Sequence, residues 1–166
     1  MLTNARGTKD REASAPSWRP AELDETKRLL EQAGLPADDL DEGLLEGFLA
    51  CGPVGEPTAV GGLEFLGRHA LLRSVAVAPS RRGEGLGQQV TRELERRARE
   101  RGVQHLYLLT EGATAFFERL GWRTTDRAQA PPEIAGSTQF SRLCPASARL
   151  LSKALSTSPA RGESPR

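Results

Sequence analysis

The sequence predicts a single α/β domain of the α+β kind: a mixed sheet, mostly antiparallel, with one central parallel pair and helices on both faces. Three observations predict it. Apolar, β-branched runs at 44–51, 59–66 and 71–78 follow one another across short Gly/Pro turns, which makes an antiparallel meander. The last run leads through a glycine-rich turn into an amphipathic helix and a fourth run at 104–109, and strand–helix–strand connectivity lays that strand parallel to the third. The 166 residues suit one domain with a sizeable core, and no internal repeat divides them.

Taken in order, residues 1–16 are polar and aperiodic and read as a disordered tail; the domain is expected over 17–155, and 156–166 has the composition of a second tail. Pro20 is placed as a first helical residue, and Leu23, Leu29, Leu30 and Ala33 form an apolar stripe, so a helix is expected over 21–33, closed by Gly34. Pro36 to Leu40 caps a second short helix, with Asp38, Asp39, Asp41 and Glu42 as helix-end charges. Gly67-Arg68 turns the chain into the third strand and leaves His69 in an exposed turn. Pro79-Ser80 ends that strand, and Leu86, Val90, Leu94 and Ala98 recur at helical spacing as far as Gly102. A short helix is predicted over 114–120, a strand over 122–126, and a turn of helix or loop at Pro131-Pro132. The period of 146–155 is ambiguous between strand and helix.

The net charge of +1 gives no nucleic-acid field, and the arginine-rich stretch 92–101 is balanced by Glu93, Glu95 and Glu100 on a solvated helix face. An apolar leader and a run of membrane-spanning length are both lacking, and the two cysteines, Cys51 and Cys144, have no metal-ligand spacing; a reducing cytoplasm is the expected setting.

The chemistry is concentrated at Arg81-Arg82-Gly83-Glu84-Gly85-Leu86-Gly87. Alternate glycines let the backbone curl so that successive amides point into one concavity at a helix N-terminus, where the dipole favours anions; a diphosphate is the expected ligand. Gln88-Gln89 stand where a P-loop needs Lys-Ser or Lys-Thr, and Gln88 also breaks the G-x-G-x-x-G spacing of a dinucleotide turn. An ordinary glycine-rich strand-to-helix turn is the plainer alternative. Arg82-x-x-Gly85-x-Gly87 directly after a strand resembles the coenzyme A pyrophosphate loop of the GCN5-related N-acetyltransferases (GNAT). Ala113-Thr114-Ala115-Phe116-Phe117-Glu118-Arg119-Leu120-Gly121-Trp122 is similar to that family's A-x-x-F-Y-x-x-x-G-F, with Phe117 in the tyrosine's place. The strings Leu71-Leu72-Arg73-Ser74-Val75-Ala76-Val77-Ala78-Pro79 and Leu143-Cys144-Pro145-Ala146-Ser147-Ala148 look like the acetyltransferases of bacterial arsenic-resistance operons.

The resemblance implies acetyl-CoA as cosubstrate, no metal, and acetyl transfer to the amino group of a small molecule, including an amino-acid-like arsenical or toxin. It implies that Val75 and Val77 hold the pantetheine arm where the third and fourth strands splay, that Arg82, Gly83, Gly85, Leu86, Gly87 and Gln88 hold the diphosphate, and that Phe117 borders the donor. For the base, Glu64 follows Gly61-Gly62 on the strand beside the donor strand, with a surface carboxylate as the equal alternative; His69 ranks below it. Phe117 has no proton to give, Tyr107 reads as core, and Cys144 and Ser147 are the remaining donors, although a thiol of pKa ~8.5 leaves as thiolate unassisted. Arg73 is an unpaired charge in an apolar strand and needs an anionic partner, either Glu64 or an acidic substrate, unless it sits at an edge in water. The expected partner is a small-molecule amine, with neither nucleic acid nor membrane, and a homodimer is left open. The rival readings are a non-catalytic acyl-CoA-binding module and a metalloid- or redox-responsive protein using Cys51 and Cys144.

Overall fold

The computed structural model describes residues 16–155, so both expected tails lie outside the described residues but for Pro16. Strands β1 (Trp18–Pro20), β2 (Phe48–Cys51), β3 (Ala59–Leu66), β4 (His69–Val77), β5 (His105–Thr110), β6 (Arg123–Thr125) and β7 (Arg149–Ala154) form one sheet in the order β1-β2-β3-β4-β5-β7-β6. Only β4 and β5 pair in parallel; the other five pairings are antiparallel. This is the mixed sheet that the meander and the single crossover predict.

Helix α3 (Leu86–Glu100) is that crossover. Its stripe of Leu86, Val90, Leu94 and Ala98 packs on Leu63, Ala70, Leu72, Leu106, Leu108 and Leu151 of one sheet face. The close approach requires Gly61: a Cβ there would stand 2.5 Å from Val90 Cγ1. The opposite face of β2 to β4 is covered by α1 (Leu23–Gln32) and α2 (Glu42–Leu45), whose Leu29, Leu30 and Leu45 meet Phe48, Ala50, Val60 and Ala76. Helices α4 (Thr114–Arg119) and α5 (Pro132–Ala135) complete the connections.

Several expectations shift. Pro20 ends β1 rather than opening a helix, because Trp18 to Pro20 pair with Cys51 to Leu49 and Glu22 caps α1 by a reciprocal bond with Glu25. Residues 36–40 form a turn; the short helix comes later, capped by Asp41, which accepts from the Leu44 amide at 2.8 Å. Leu44 and Leu45 therefore belong to that helix, and the strand expected from 44 starts at Phe48. Asp39 is no helix-end charge, since it pairs with Arg73 on β4. The ambiguous segment 146–155 resolves as β7, inserted between β5 and β6. Neither neighbour is adjacent to it in sequence, which is why its own period did not decide.

Candidate active site

The turn between β4 and α3 has the conformation that its glycines predict. Gly83 and Gly85 lie at φ 83° and 81°, in the left-handed region, and nothing stands within 4 Å of a Cβ built on either. The first intrahelical donor is Gln89, bonded to Gly85 O at 3.1 Å, so the amides of Leu86, Gly87 and Gln88 precede the ladder at the positive end of a 15-residue helix. Arg81 is taken by Glu84 at 2.6 Å, whereas Arg82 has no ion pair among the described residues. The open glycine concavity, the orphan amides and the free arginine suit a diphosphate.

The loop leads directly to a break in the sheet. Pairing of β4 with β5 covers His69–His105 to Leu71–Tyr107 and stops, although β4 continues to Val77 and β5 to Thr110. Its cause is visible in β4, where Ser74 and Val75 oppose the single residue Gly61 and Ser74 takes φ 59°, a bulge that turns the strand away. Val75 and Val77 stand in this splay, half-buried. Gly87 belongs to the same corner: a Cβ on it would lie 3.5 Å from Phe116 Cζ and 3.8 Å from Val77 Cγ2.

A cavity of about 380 Å³ opens at the splay, walled by Gly34 to Pro36 after α1, by Arg73 and Ser74, by Leu109 to Ala113 at and beyond the end of β5, and by Gln139, Cys144 and Pro145 before β7. Glu111 is the one carboxylate on its wall among the described residues and accepts from Ser147 Oγ at 2.9 Å. The Cys144 thiol, 3.7 Å from Gln139 Oε1, is pushed up from its ordinary pKa by burial.

Arg73 does not point into water. Its side chain has no exposed surface, its guanidinium lies 5.9 Å from the centre of the Phe48 ring, and Nη1 and Nη2 reach Asp39 Oδ2 and Oδ1 at 2.5 and 2.7 Å. Glu64 Oε2 is 3.5 Å from the same Nη1, buried and without a hydrogen bond among the described residues. Glu64 itself borders a smaller recess with Gly43, Leu44 and Glu46, and Arg73 stands between that recess and the cavity.

His69 is not in an exposed turn: it begins β4, half-buried, with Nδ1 lacking a partner and its ring edge-on to Tyr107 at 5.6 Å. Burial pushes the Tyr107 phenol up. His69 lies at the end of β4 remote from the glycine loop, and Tyr107 pairs with Leu71 on the last rung before the splay; neither lines the cavity. Phe117 is 7 % exposed and packs edge-on against Phe116 at 4.9 Å and Trp122 at 5.9 Å. Cys51 is buried in β2 with Sγ 3.0 Å from Thr58 Oγ1, and Cys51 and Cys144 are both free thiols. The sequence reading assigns no site role to Asp39, which it makes a helix-end charge, or to Ser74, Glu111 and Phe116. Asp39 and Arg73 are 34 residues apart, and neither the bulge at Ser74 nor the cavity wall at Glu111 has a local signature.

A model of the acetyltransferase (GNAT) family matches residues 9–122. The chain belongs to this family. It is therefore an N-acetyltransferase of the GNAT class, with acetyl-CoA as cosubstrate, and the glycine loop and splay are the features of its fold that suit that donor. No curated relative matches the sequence. Among solved structures, the GNAT domain is similar to a Mycobacterium tuberculosis protein in complex with CoA, with 21 % identity, a TM-score of 0.70, and coverage of 84 % of this chain and 99 % of that one. It is similar to Neisseria gonorrhoeae N-acetylglutamate synthase complexed with CoA and N-acetyl-glutamate, with 18 % identity and a TM-score of 0.71 over 84 % of this chain, but spans only 35 % of the synthase. It also resembles the ribosomal-protein-S18-alanine N-acetyltransferase of Escherichia coli, with 17 % identity, a TM-score of 0.60, and coverage of 89 % and 98 % of the two chains. At these identities the likeness establishes the shared fold.

Proposed function

We propose that the protein acetylates the amino group of a small, amino-acid-like molecule that enters the cavity at the β4–β5 splay. The observation that carries this reading is the position of the cavity: it opens where β4 loses its partner, one strand's length from the glycine loop, so a donor lying along β4 would present its thioester at the cavity mouth. Its volume suits a small acceptor held by a few polar groups. The N-acetyl-glutamate bound by the gonococcal synthase supports an amino-acid-like acceptor. The two strings that resemble arsenic-resistance acetyltransferases meet on this cavity through Arg73, Ser74, Leu143, Cys144, Pro145 and Ala148, which supports an amino-acid-like arsenical as one such acceptor.

In this reading the amides of Leu86, Gly87 and Gln88, with Gly83, Gly85 and Arg82, hold the diphosphate, and main-chain groups of Val75 and Val77 hold the pantetheine arm and polarise the carbonyl. The amine lone pair attacks the thioester carbon, the amine proton leaves to water in the cavity, and the carbon–sulfur bond breaks to give thiolate; Glu64 lies beyond Arg73, on the neighbouring recess. A thiol of pKa ~8.5 makes leaving feasible without an acid, so the phenylalanine at 117 is compatible with turnover. Arg73 acts from within the cavity wall, its charge already met by Asp39.

Titration with acetyl-CoA followed by thiol release across a panel of amino acids, their phosphonate and arsenical analogues, and peptide N-termini tests this. Release with a small amino-acid-like amine is the expected result. Binding of acetyl-CoA with no release from any amine would favour a non-catalytic acyl-CoA module, and release only with peptides would place the acceptor outside the cavity.

A further inference from the structure

We infer that Glu111 selects the acceptor by charge: it holds a cationic group of the substrate at the cavity rim, so that the cavity takes a dibasic amine, such as a basic amino acid, in preference to an acidic one. This rests on the splay cavity as the acceptor site, as proposed above. Glu111 is the one carboxylate on the cavity wall among the described residues, it is exposed to solvent, and it has no ion pair among them. Ser147 Oγ donates to its Oε1 at 2.9 Å, and Oε2 has no such partner there. That bond ties the loop after β5 to the segment before β7, two stretches that both line the cavity, and so holds the carboxylate in place with one oxygen open to a ligand.

Nothing on the wall offers a cation to an acidic substrate. Arg73 is the one basic residue there, but its side chain has no exposed surface and Asp39 takes both terminal nitrogens, at 2.5 and 2.7 Å. Behind the segment that leads into β7, Arg127 is spent on the carbonyls of Phe140, Pro145 and Ala148, at 3.4, 3.3 and 2.9 Å. Arg149 pairs with Thr110 but alternates with Leu151, which packs under α3, so it points to the sheet face opposite Arg73. The remaining polar side chains of the wall are uncharged: Ser74 accepts from Arg73 Nε, Thr110 accepts from the Ala113 amide, and the Cys144 thiol, whose pKa burial raises, donates to Gln139. Arg73 and Arg127 thus stand against Asp39, Glu64 and Glu111, an excess of one negative charge, and of these only Glu111 is open to a ligand on the wall. An ammonium at its free oxygen gains a charge-assisted hydrogen bond, whereas a carboxylate in the same place meets a like charge and no cation. The reacting amine sheds its proton to attack, so the cation that stays with Glu111 is a second one.

The test compares lysine and ornithine with glutamate and its phosphonate analogue on the parent protein, Glu111→Gln and Glu111→Lys. Thiol release gives kcat/KM for each acceptor, and calorimetry on the CoA-bound protein gives the affinity for the same compounds without turnover. The parent is expected to favour the basic acceptors by at least about tenfold. Glu111→Gln should lose about fivefold on lysine and ornithine, chiefly in KM, with little change on glutamate and with acetyl-CoA affinity and Tm unaltered, as suits a solvent-exposed charge. Glu111→Lys should reverse the order of the panel, and added salt should narrow the parent's preference. Equal efficiency with basic and acidic acceptors, a preference for the acidic ones, or an order unchanged in Glu111→Lys would overturn the role of Glu111 while leaving the cavity as the acceptor site. Lysine bound by the CoA complex, lost in Glu111→Lys, but never acetylated would support the Glu111 site and remove the proposed reaction. Thiol release confined to peptides, with no basic amino acid bound to the CoA complex, would overturn both.

Discussion

At the scale of single residues, two positions separate donor binding from chemistry. Gly85 caps α3 at φ 81°, and with nothing near its virtual Cβ the obstacle to substitution is conformational and electrostatic rather than steric. Gly85→Asp is expected to cost about 1–2 kcal/mol for the left-handed backbone and to place a carboxylate against the diphosphate, abolishing acetyl-CoA binding while Tm falls only slightly. Retained affinity, read by calorimetry, would remove the loop from the donor site. Phe117 stands where the motif resemblance puts a tyrosine, and its ring packs against Phe116 and Trp122. Phe117→Tyr is expected to lower stability by about 1–3 kcal/mol through an unsatisfied hydroxyl and to leave turnover unchanged. Higher turnover at unchanged Tm would mean that the hydroxyl reaches the departing sulfur.

At the scale of elements, the site depends on how closely α3 and β3 meet. Gly61 lies opposite the β4 bulge and beneath Val90 and Leu94, so one glycine sets both the height of α3 over the sheet and the space for Ser74 and Val75 to turn outward. Gly62 is held equally tightly against the Phe48 ring. Gly61→Ala is expected to destabilise by about 1–3 kcal/mol, because buried Val90 and Leu94 have nowhere to go, and to weaken acetyl-CoA binding by shifting the N-terminus of α3. Thermal melting and acetyl-CoA titration on the same variant check both; loss of stability with intact affinity would show that the loop moves independently of the helix. These glycines were legible as strand residues, and the sequence reading placed them beside Glu64. Their packing roles were not legible, since Gly61 depends on Val90 and Leu94 of α3 and Gly62 on Phe48 of β2.

At the scale of the molecule, stability is tied to a buried carboxylate outside the splay cavity. Glu25, 2 % exposed, joins three segments: Arg19 of β1 donates to both of its oxygens at 2.6 and 2.9 Å, and the amides of Glu22 and Gly55 donate at 3.0 and 2.8 Å. Burial alone would raise its pKa, but the bonds from Arg19, Glu22 and Gly55 together outweigh it and hold the group below its ordinary value of 4.5. A carboxyl depressed in the folded state contributes stability that is fully present above that value and is lost as pH falls through the folded pKa. Glu25→Gln is therefore expected to lower Tm at neutral pH, with the gap to the parent protein closing below about pH 4; a gap constant across that range would rule out the carboxylate as its source. What the sequence by itself determined was whatever is encoded locally: the period of each strand and of α3, the glycine loop between them, and the parallel pair that strand–helix–strand connectivity forces. Only the tertiary structure decided the place of β7 between β5 and β6, the break in β4–β5 pairing after Leu71, and the partners of Arg73 and Glu64. These are contacts between segments distant in sequence, and their energy comes from burial and charge pairing across the sheet, which no window along the chain contains.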